Sequence, residues 1–162
     1  MYNEIVSFTK NVHDNGVALE ERVQTYLESQ HIPFKRFKNN GIDFIINGCF
    51  HMDCIAQSVS GSIGDKLPHK CWKYIKRYNL SEDIYILHPY SPIKRQVGEH
   101  LEEIENSYGC RIHILDWKDF TYLMDGGTFS KRKPYVYHRS GKGVSNLPPI
   151  TAKINEFFCF KK

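Results

Sequence analysis

The chain has no apolar run approaching the roughly 18 residues that a membrane helix needs. It has no internal repeat, no low-complexity tract and no Cys-x-x-Cys pair, so a solenoid, a disordered chain and a zinc knuckle all lack support. The opening residues MYNEIVSFTK carry Glu4 and lack the apolar stretch of a secretory leader. Five cysteines is an odd number in a chain too long to be a disulfide scaffold, which points to reduced thiols. A cytoplasmic or nucleoid-associated protein, neither secreted nor in a membrane, is therefore expected.

What is present is ordinary globular material: 162 residues, 41% hydrophobic and 25% charged, one domain's worth of core. The formal net charge of +4 is unevenly placed. Residues 129–162 hold eight Lys and Arg against the single acid Glu156, while residues 1–128 hold 14 against 17. A basic extension on a mildly acidic body suggests a polyanion partner such as nucleic acid. The expected organisation is a core domain over 1–128 and a basic extension over 129–162. The late apolar cluster Ile154, Phe157, Phe158 and Phe160 would dock that extension on the core.

Hydrophobic spacing predicts a helix entered at Asn15-Gly16, with Leu19, Val23, Tyr26 and Leu27 on its buried stripe and Glu20 bordering it. Three extended segments follow: His31–Phe37, Ile42–Ile46 and Phe50–Val59, separated by the turn signals Asn39-Asn40-Gly41 and Asn47-Gly48. Gly61–Pro68 reads as a loop and His69–Tyr78 as a helix. Asp83–His88 is nearly all apolar and reads as a central strand. A helix over Arg95–Tyr108 with Gly109 as its cap, a strand over Arg111–Leu115 and a short helix over Asp116–Met124 complete the body. The order αβββαβαβ predicts an α/β fold, a mixed central sheet flanked by helices.

Asp43 and Asp53 are the candidates for chemistry. Each is a lone carboxylate in an apolar strand, and such a charge is costly to bury unless it is paired or binds a metal. The two strands are neighbours across a short turn, so both acids can reach one cation. Glu20 would supply a third carboxylate, and an all-oxygen set suits Mg²⁺, with Mn²⁺ as its substitute. A zinc site from Cys49, His51, Cys54, His69 and Cys71 is the weaker alternative. Cys49 and His51 project from the opposite face to Cys54 on a regular strand; His51 shares a face with Asp53 and is a candidate water-positioning group.

Gly16-Val17-Ala18-Leu19-Glu20, Gly41-Ile42-Asp43-Phe44 and Asp53-Cys54-Ile55-Ala56-Gln57, in that order, resemble the PD-(D/E)xK nuclease superfamily of restriction endonucleases, junction resolvases and some homing endonucleases. The resemblance covers roughly residues 16–115. It implies a restriction-endonuclease-like core and Mg²⁺-dependent hydrolysis of double-stranded DNA, carried out by a homodimer or higher homo-oligomer. It further implies that Glu20, Asp43, Asp53 and the Cys54 carbonyl hold the metal.

The family's lysine falls at position 55, where this chain has Ile55. Three replacements stay open: Lys66 or Lys70 from the next loop and helix, or Gln57 positioning the water. The alternatives to a site-specific endonuclease are a DNA-binding module that does not cut and a Holliday-junction resolvase. Lys66, Lys70, Lys73 and Arg77 line one side of a helix, and Lys131, Arg132, Lys133, Arg139 and Lys142 stand among aromatics in the extension. Lys70, Lys73, Arg77 and these five are the candidate nucleic-acid contacts.

Overall fold

The computed structural model describes residues 12–38, 41–56, 63–80, 83–88 and 92–137. Helix α1 (Val12–Ser29) leads into strands β1 (Phe34–Arg36), β2 (Phe44–Ile46) and β3 (Phe50–Cys54). Helix α2 (Ile63–Tyr78), strand β4 (Asp83–Leu87), strand β5 (Pro92–Ile93) and helix α3 (Arg95–Tyr108) follow. Strand β6 (Arg111–Leu115), helix α4 (Trp117–Met124) and strand β7 (Val136–Tyr137) end the described chain.

The sheet order is β1-β2-β3-β4-β6. The first three strands pair antiparallel through short turns, and β3, β4 and β6 run parallel with helices as crossovers. The fold is thus α/β with a mixed five-stranded sheet, and β4 is interior as its apolar run predicts. Successive side chains on a strand point to opposite faces, and each face has its own core. On one face Phe44, Ile46, Met52, Cys54, Tyr85 and Leu87 meet Leu19, Val23, Tyr26 and Leu27 of α1 and Trp117 and Phe120 of α4. On the other, Ile84, Ile86 and Ile112 meet Leu67, Cys71, Tyr74 and Ile75 of α2 and Val97, Leu101 and Ile104 of α3.

Local signals account for most boundaries. The Asp116 carboxylate accepts from the Asp119 N–H at 2.8 Å and Asp119 reciprocates at 3.2 Å, a capping box that starts α4. Gly109 ends α3 at φ 67°, a left-handed conformation that favours glycine, and donates its N–H to the Glu105 carbonyl. The β2–β3 turn carries positive φ at Asn47 and Gly48.

Strands β1 and β2 begin at Phe34 and Phe44, later than the expected His31 and Ile42, and three further boundaries differ from expectation. Helix α1 begins at Val12 and runs through Asn15-Gly16. An interior glycine costs a helix about 1 kcal/mol, which the long buried stripe outweighs. Helix α2 begins at Ile63 and contains Pro68. Proline removes one backbone hydrogen bond, to the Gly64 carbonyl, near the helix start, while burial of Leu67 and Pro68 holds the turn together. The third strand ends at Cys54, and residues 57–59 lie outside those described. The parallel pair β5–β7 has no sequence signal, each strand being two residues long.

Residues 129–137 are seated on the body. Phe129 joins the first core and Tyr135 the second, and the Tyr135 hydroxyl donates to the Ile112 carbonyl at 2.8 Å. Arg132 is the fastener: it contacts Glu105 at 2.9 Å and Glu102 at 3.3 Å, with its guanidinium 3.8 Å from the Tyr135 ring centroid. Glu105 also accepts from the Ile112 N–H at 2.9 Å. The expected docking cluster at 154–160 lies outside the described residues. Arg132→Ala would strand the largely buried Glu105 carboxylate, and the expected loss is about 3 kcal/mol of unfolding free energy. Urea denaturation checks it; a loss under about 1 kcal/mol would show that the segment is held by other means.

Candidate active site

Asp43 stands one residue before β2 and Asp53 is the fourth residue of β3. The register pairs Phe44 with Met52, so one step outward sets Asp43 opposite Asp53. Like charges opposite one another on adjacent strands repel, yet Asp53 is 1% exposed and Asp43 half-buried. The expected pairing of the two acids is therefore present. The difference is that Asp43 precedes its strand instead of lying within it: its carbonyl accepts from the Phe37 N–H at 2.9 Å while the side chain turns to β3.

Three groups besides the acids themselves hold the cluster in place. The Cys54 N–H donates to Asp43 Oδ2 at 2.8 Å. The two aspartates are within side-chain hydrogen-bonding reach of each other, and Glu20 is within reach of Asp43. Arg36 of β1 lies 3.8 Å from Glu20 and donates to Gln24 at 2.8 Å. Lys70 Nζ of α2 lies 3.6 Å from Asp53 Oδ2. At that separation the ammonium forms an ion pair with the buried Oδ2 but no direct hydrogen bond.

The electrostatics follow from burial. Desolvation raises the Asp53 carboxyl well above its usual range; the Asp43 charge pushes it further, and Lys70 opposes too weakly to reverse it. Asp43 is raised, first by burial, although the Asp53 hydrogen bond and the Cys54 N–H lower it. Glu20 is raised by burial against the pull of Arg36. Tyr74 approaches Asp53 from α2 and donates its hydroxyl to the Gly41 carbonyl at 3.0 Å. Gly41 is required there: at φ 92° a Cβ would also stand 3.1 Å from the Tyr74 ring.

Lys70 is thus the lysine that reaches the acids. Lys66 is exposed further back along α2, and Gln57 lies outside the described residues. Ile55 packs in the second core, on the sheet face that Asp53 shares with α2. Lys73 and Arg77 are exposed on the outer side of α2, as their spacing predicts. In the extension Lys131 is exposed, but Arg132 is committed to Glu105 and Lys133 Nζ lies 2.8 Å from Asp119. Arg132 and Lys133 thus have acidic partners within the fold, Glu102 and Glu105 for the first and Asp119 for the second. Arg139 and Lys142 lie outside the described residues.

The soft ligands do not assemble. Cys54 and Cys71 are buried in different cores, Cys49 is exposed on the turn, and His69 stacks on Trp72. The His51 ring faces Tyr78 at 5.4 Å and its Nδ1 lies 3.3 Å from the Cys49 carbonyl, away from the acids. Among the described residues no three His, Cys, Asp or Glu form a ready-made cage for an ion. The donor set of Glu20, Asp43 and Asp53 nevertheless fits a hard cation: all ligands are oxygen, and the buried Asp53 Oδ2 accepts no hydrogen bond while pairing with the Lys70 ammonium at 3.6 Å. Sequence reasoning placed Tyr74 only in the core and missed Arg36. The signal for Tyr74 was its position one helical turn beyond Lys70.

No family model matches the chain, and no curated protein or solved structure is detectably similar to it.

The raised carboxyls fix the sign of a pH effect. Groups that bind protons more tightly folded than unfolded contribute stability below the ordinary carboxylate range and lose it as pH rises through their folded values. Metal-free protein is expected to lose stability as pH rises above that range. Asp53→Asn removes one of the repelling charges and should stabilise the metal-free protein at pH 8 by about 1–3 kcal/mol, with a smaller gain at acid pH. Melting in EDTA at both pH values checks it; a destabilised Asn variant at pH 8 would show that the acids are not under strain.

Proposed function

We propose that the chain is a Mg²⁺-dependent endodeoxyribonuclease of restriction-endonuclease-like fold. The observation that carries the reading is Asp43 facing the buried Asp53, with Glu20 within reach of Asp43 and the Lys70 ammonium 3.6 Å from Asp53. The succession α1-β1-β2-β3-α2-β4, with antiparallel β1–β3 and parallel β3–β4, supports it.

Hydrolysis of a phosphodiester joins a water oxygen to phosphorus and breaks one P–O ester bond, leaving a phosphate and a hydroxyl. Mg²⁺, when bound, supplies Lewis-acid stabilisation of the developing charge and a more acidic water. Glu20, Asp43 and Asp53 would hold it, with the Cys54 carbonyl as a further ligand. The chain's own contributions are positional. The Cys54 N–H orients Asp43, and Arg36 restrains Glu20. Lys70, half-exposed and 3.6 Å from Asp53, directs a cation toward the reacting phosphate and can donate to the attacking water. Lys70 takes over the position left by Ile55.

Cutting both strands of a duplex calls for two such sites, which a homodimer would supply. One observation favours a DNA-binding module that does not cut: the position of the family's lysine holds Ile55. Plasmid cleavage in Mg²⁺ against EDTA separates the two readings. Asp43→Ala and Asp53→Ala should abolish cleavage. Lys70→Ala should lower the rate about 10²–10³-fold, the worth of one donor to developing charge, and Lys66→Ala should leave it near wild type. Full activity in Asp53→Ala, or no Mg²⁺-dependent cleavage of duplex, junction or single strand by the native protein, would overturn the reading.

A further inference from the structure

The outer side of α2 carries a second feature that the acids do not explain. Residues 66–80 contain Lys66, Lys70, Lys73, Lys76 and Arg77 and not one Asp or Glu. The neighbouring helix α3 is acidic on balance: Glu99 and Glu103 are exposed, Glu102 is paired with Arg132, and Arg95 is the helix's one Lys or Arg. Between these fields stands Trp72, 39% exposed, one of three large hydrophobic side chains exposed among the described residues.

Trp72 is held in one orientation. Its Nε1 donates to the Tyr108 hydroxyl of α3 at 2.8 Å, and its ring lies 5.7 Å from His69 at 19°, a stacked pair. Lys76 Nζ sits 5.1 Å from the Tyr108 ring centroid. A wet, fixed indole among lysines is a ledge for a flat ring that arrives with negative charge attached. At 100° per residue Lys70 and Trp72 bound the two sides of the exposed arc, about 160° apart and with Lys73, His69 and Lys76 between them. The arc spans about 10–12 Å, the width of a helix with its side chains, so a chain bound at Lys70 crosses the basic surface to reach Trp72.

We infer that this ledge binds an unpaired nucleotide flanking the cleaved phosphate, so that the nuclease read above takes nucleic acid with a single-stranded segment at the cut. The inference rests on that nuclease reading for the position of the cut. Charge complementarity selects a polyanion, and the exposed ring selects a free base: in a duplex the base faces are already covered by their neighbours, and no face is left for the indole. The acidic α3 confines the strand to the α2 side.

Trp72 reports its own occupancy, because Trp117 is 3% exposed and gives a constant background. Titrating the full chain in EDTA with oligo(dT) should quench tryptophan emission, while a blunt hairpin duplex should not. Trp72→Ala should abolish the quench and weaken oligo(dT) binding about tenfold, with duplex binding unchanged and Trp72→Phe intermediate. Absence of quenching in the wild type, equal quenching by duplex, or unchanged oligo(dT) affinity in a folded Trp72→Ala variant would overturn the inference; the wild-type titration decides it whether or not the variant folds. Because EDTA removes catalysis, quenching without cleavage in Mg²⁺ would overturn the nuclease reading alone, and cleavage without quenching the ledge alone.

Discussion

Carboxylates that repel one another stay together in a protein interior only where something of opposite sign is brought to them. Asp43 and Asp53 face each other across β2 and β3, and the surrounding structure supplies that sign from three directions. The backbone contributes the Cys54 N–H, β1 contributes Arg36 through Glu20, and α2 contributes Lys70. None of these cancels the repulsion, since all three carboxyls remain raised by burial. The residual strain is a local conflict of the kind that clusters at functional sites. The two cores explain how the fold tolerates it: each face of the sheet is apolar and closed by its own pair of helices, leaving the acids as an exception at one end.

Much of this was legible in the residue order. The helix Arg95–Tyr108 and the strand Arg111–Leu115 match their expected ends because periodicity and a terminal glycine agree there. The Asp43–Asp53 pairing was readable because a lone acid in each of two apolar strands, joined by Asn47-Gly48, leaves few other registers. Pro68 misled because local propensity and tertiary burial oppose each other at that residue, and burial prevailed. Arg132 is a different case. Composition reports that a residue is charged, but only the fold reports that Glu105 and Glu102 are waiting for it. The pair β5–β7 left no trace, since two residues cannot display a period.

On the nuclease reading, the choice of Lys70 has a physical basis. A lysine at position 55 would have to thread its stem through the second core, where Ile55 now packs. Lys70 approaches instead from a helix margin and keeps its side chain 46% exposed, so its ammonium reaches Asp53 without giving up its hydration. Placing the cation on α2 also ties the site to the helix that carries the basic surface. Lys70 and Lys73 are three residues apart and so lie one above the other on that helix. On the nuclease reading, a phosphate chain following the positive field along α2 would be led to the acids by the helix whose Lys70 pairs with Asp53.

The segregation of charge between α2 and α3 then acquires a direction. The two helices cover the same sheet face, yet the exposed acids belong to α3 and the basic run to α2. A uniformly basic surface would hold a polyanion in many registers. A basic strip with an acidic neighbour holds it in one lane, because straying onto α3 meets like charge. The part of the extension seen against the body adds little to that lane. Arg132 lends its charge to Glu102 and Glu105, and Lys133 lends its own to Asp119, so this segment works as a clasp between α3, β6 and α4. Within the described residues, the field that would guide a nucleic acid comes chiefly from α2, whose far margin ends on the indole of Trp72.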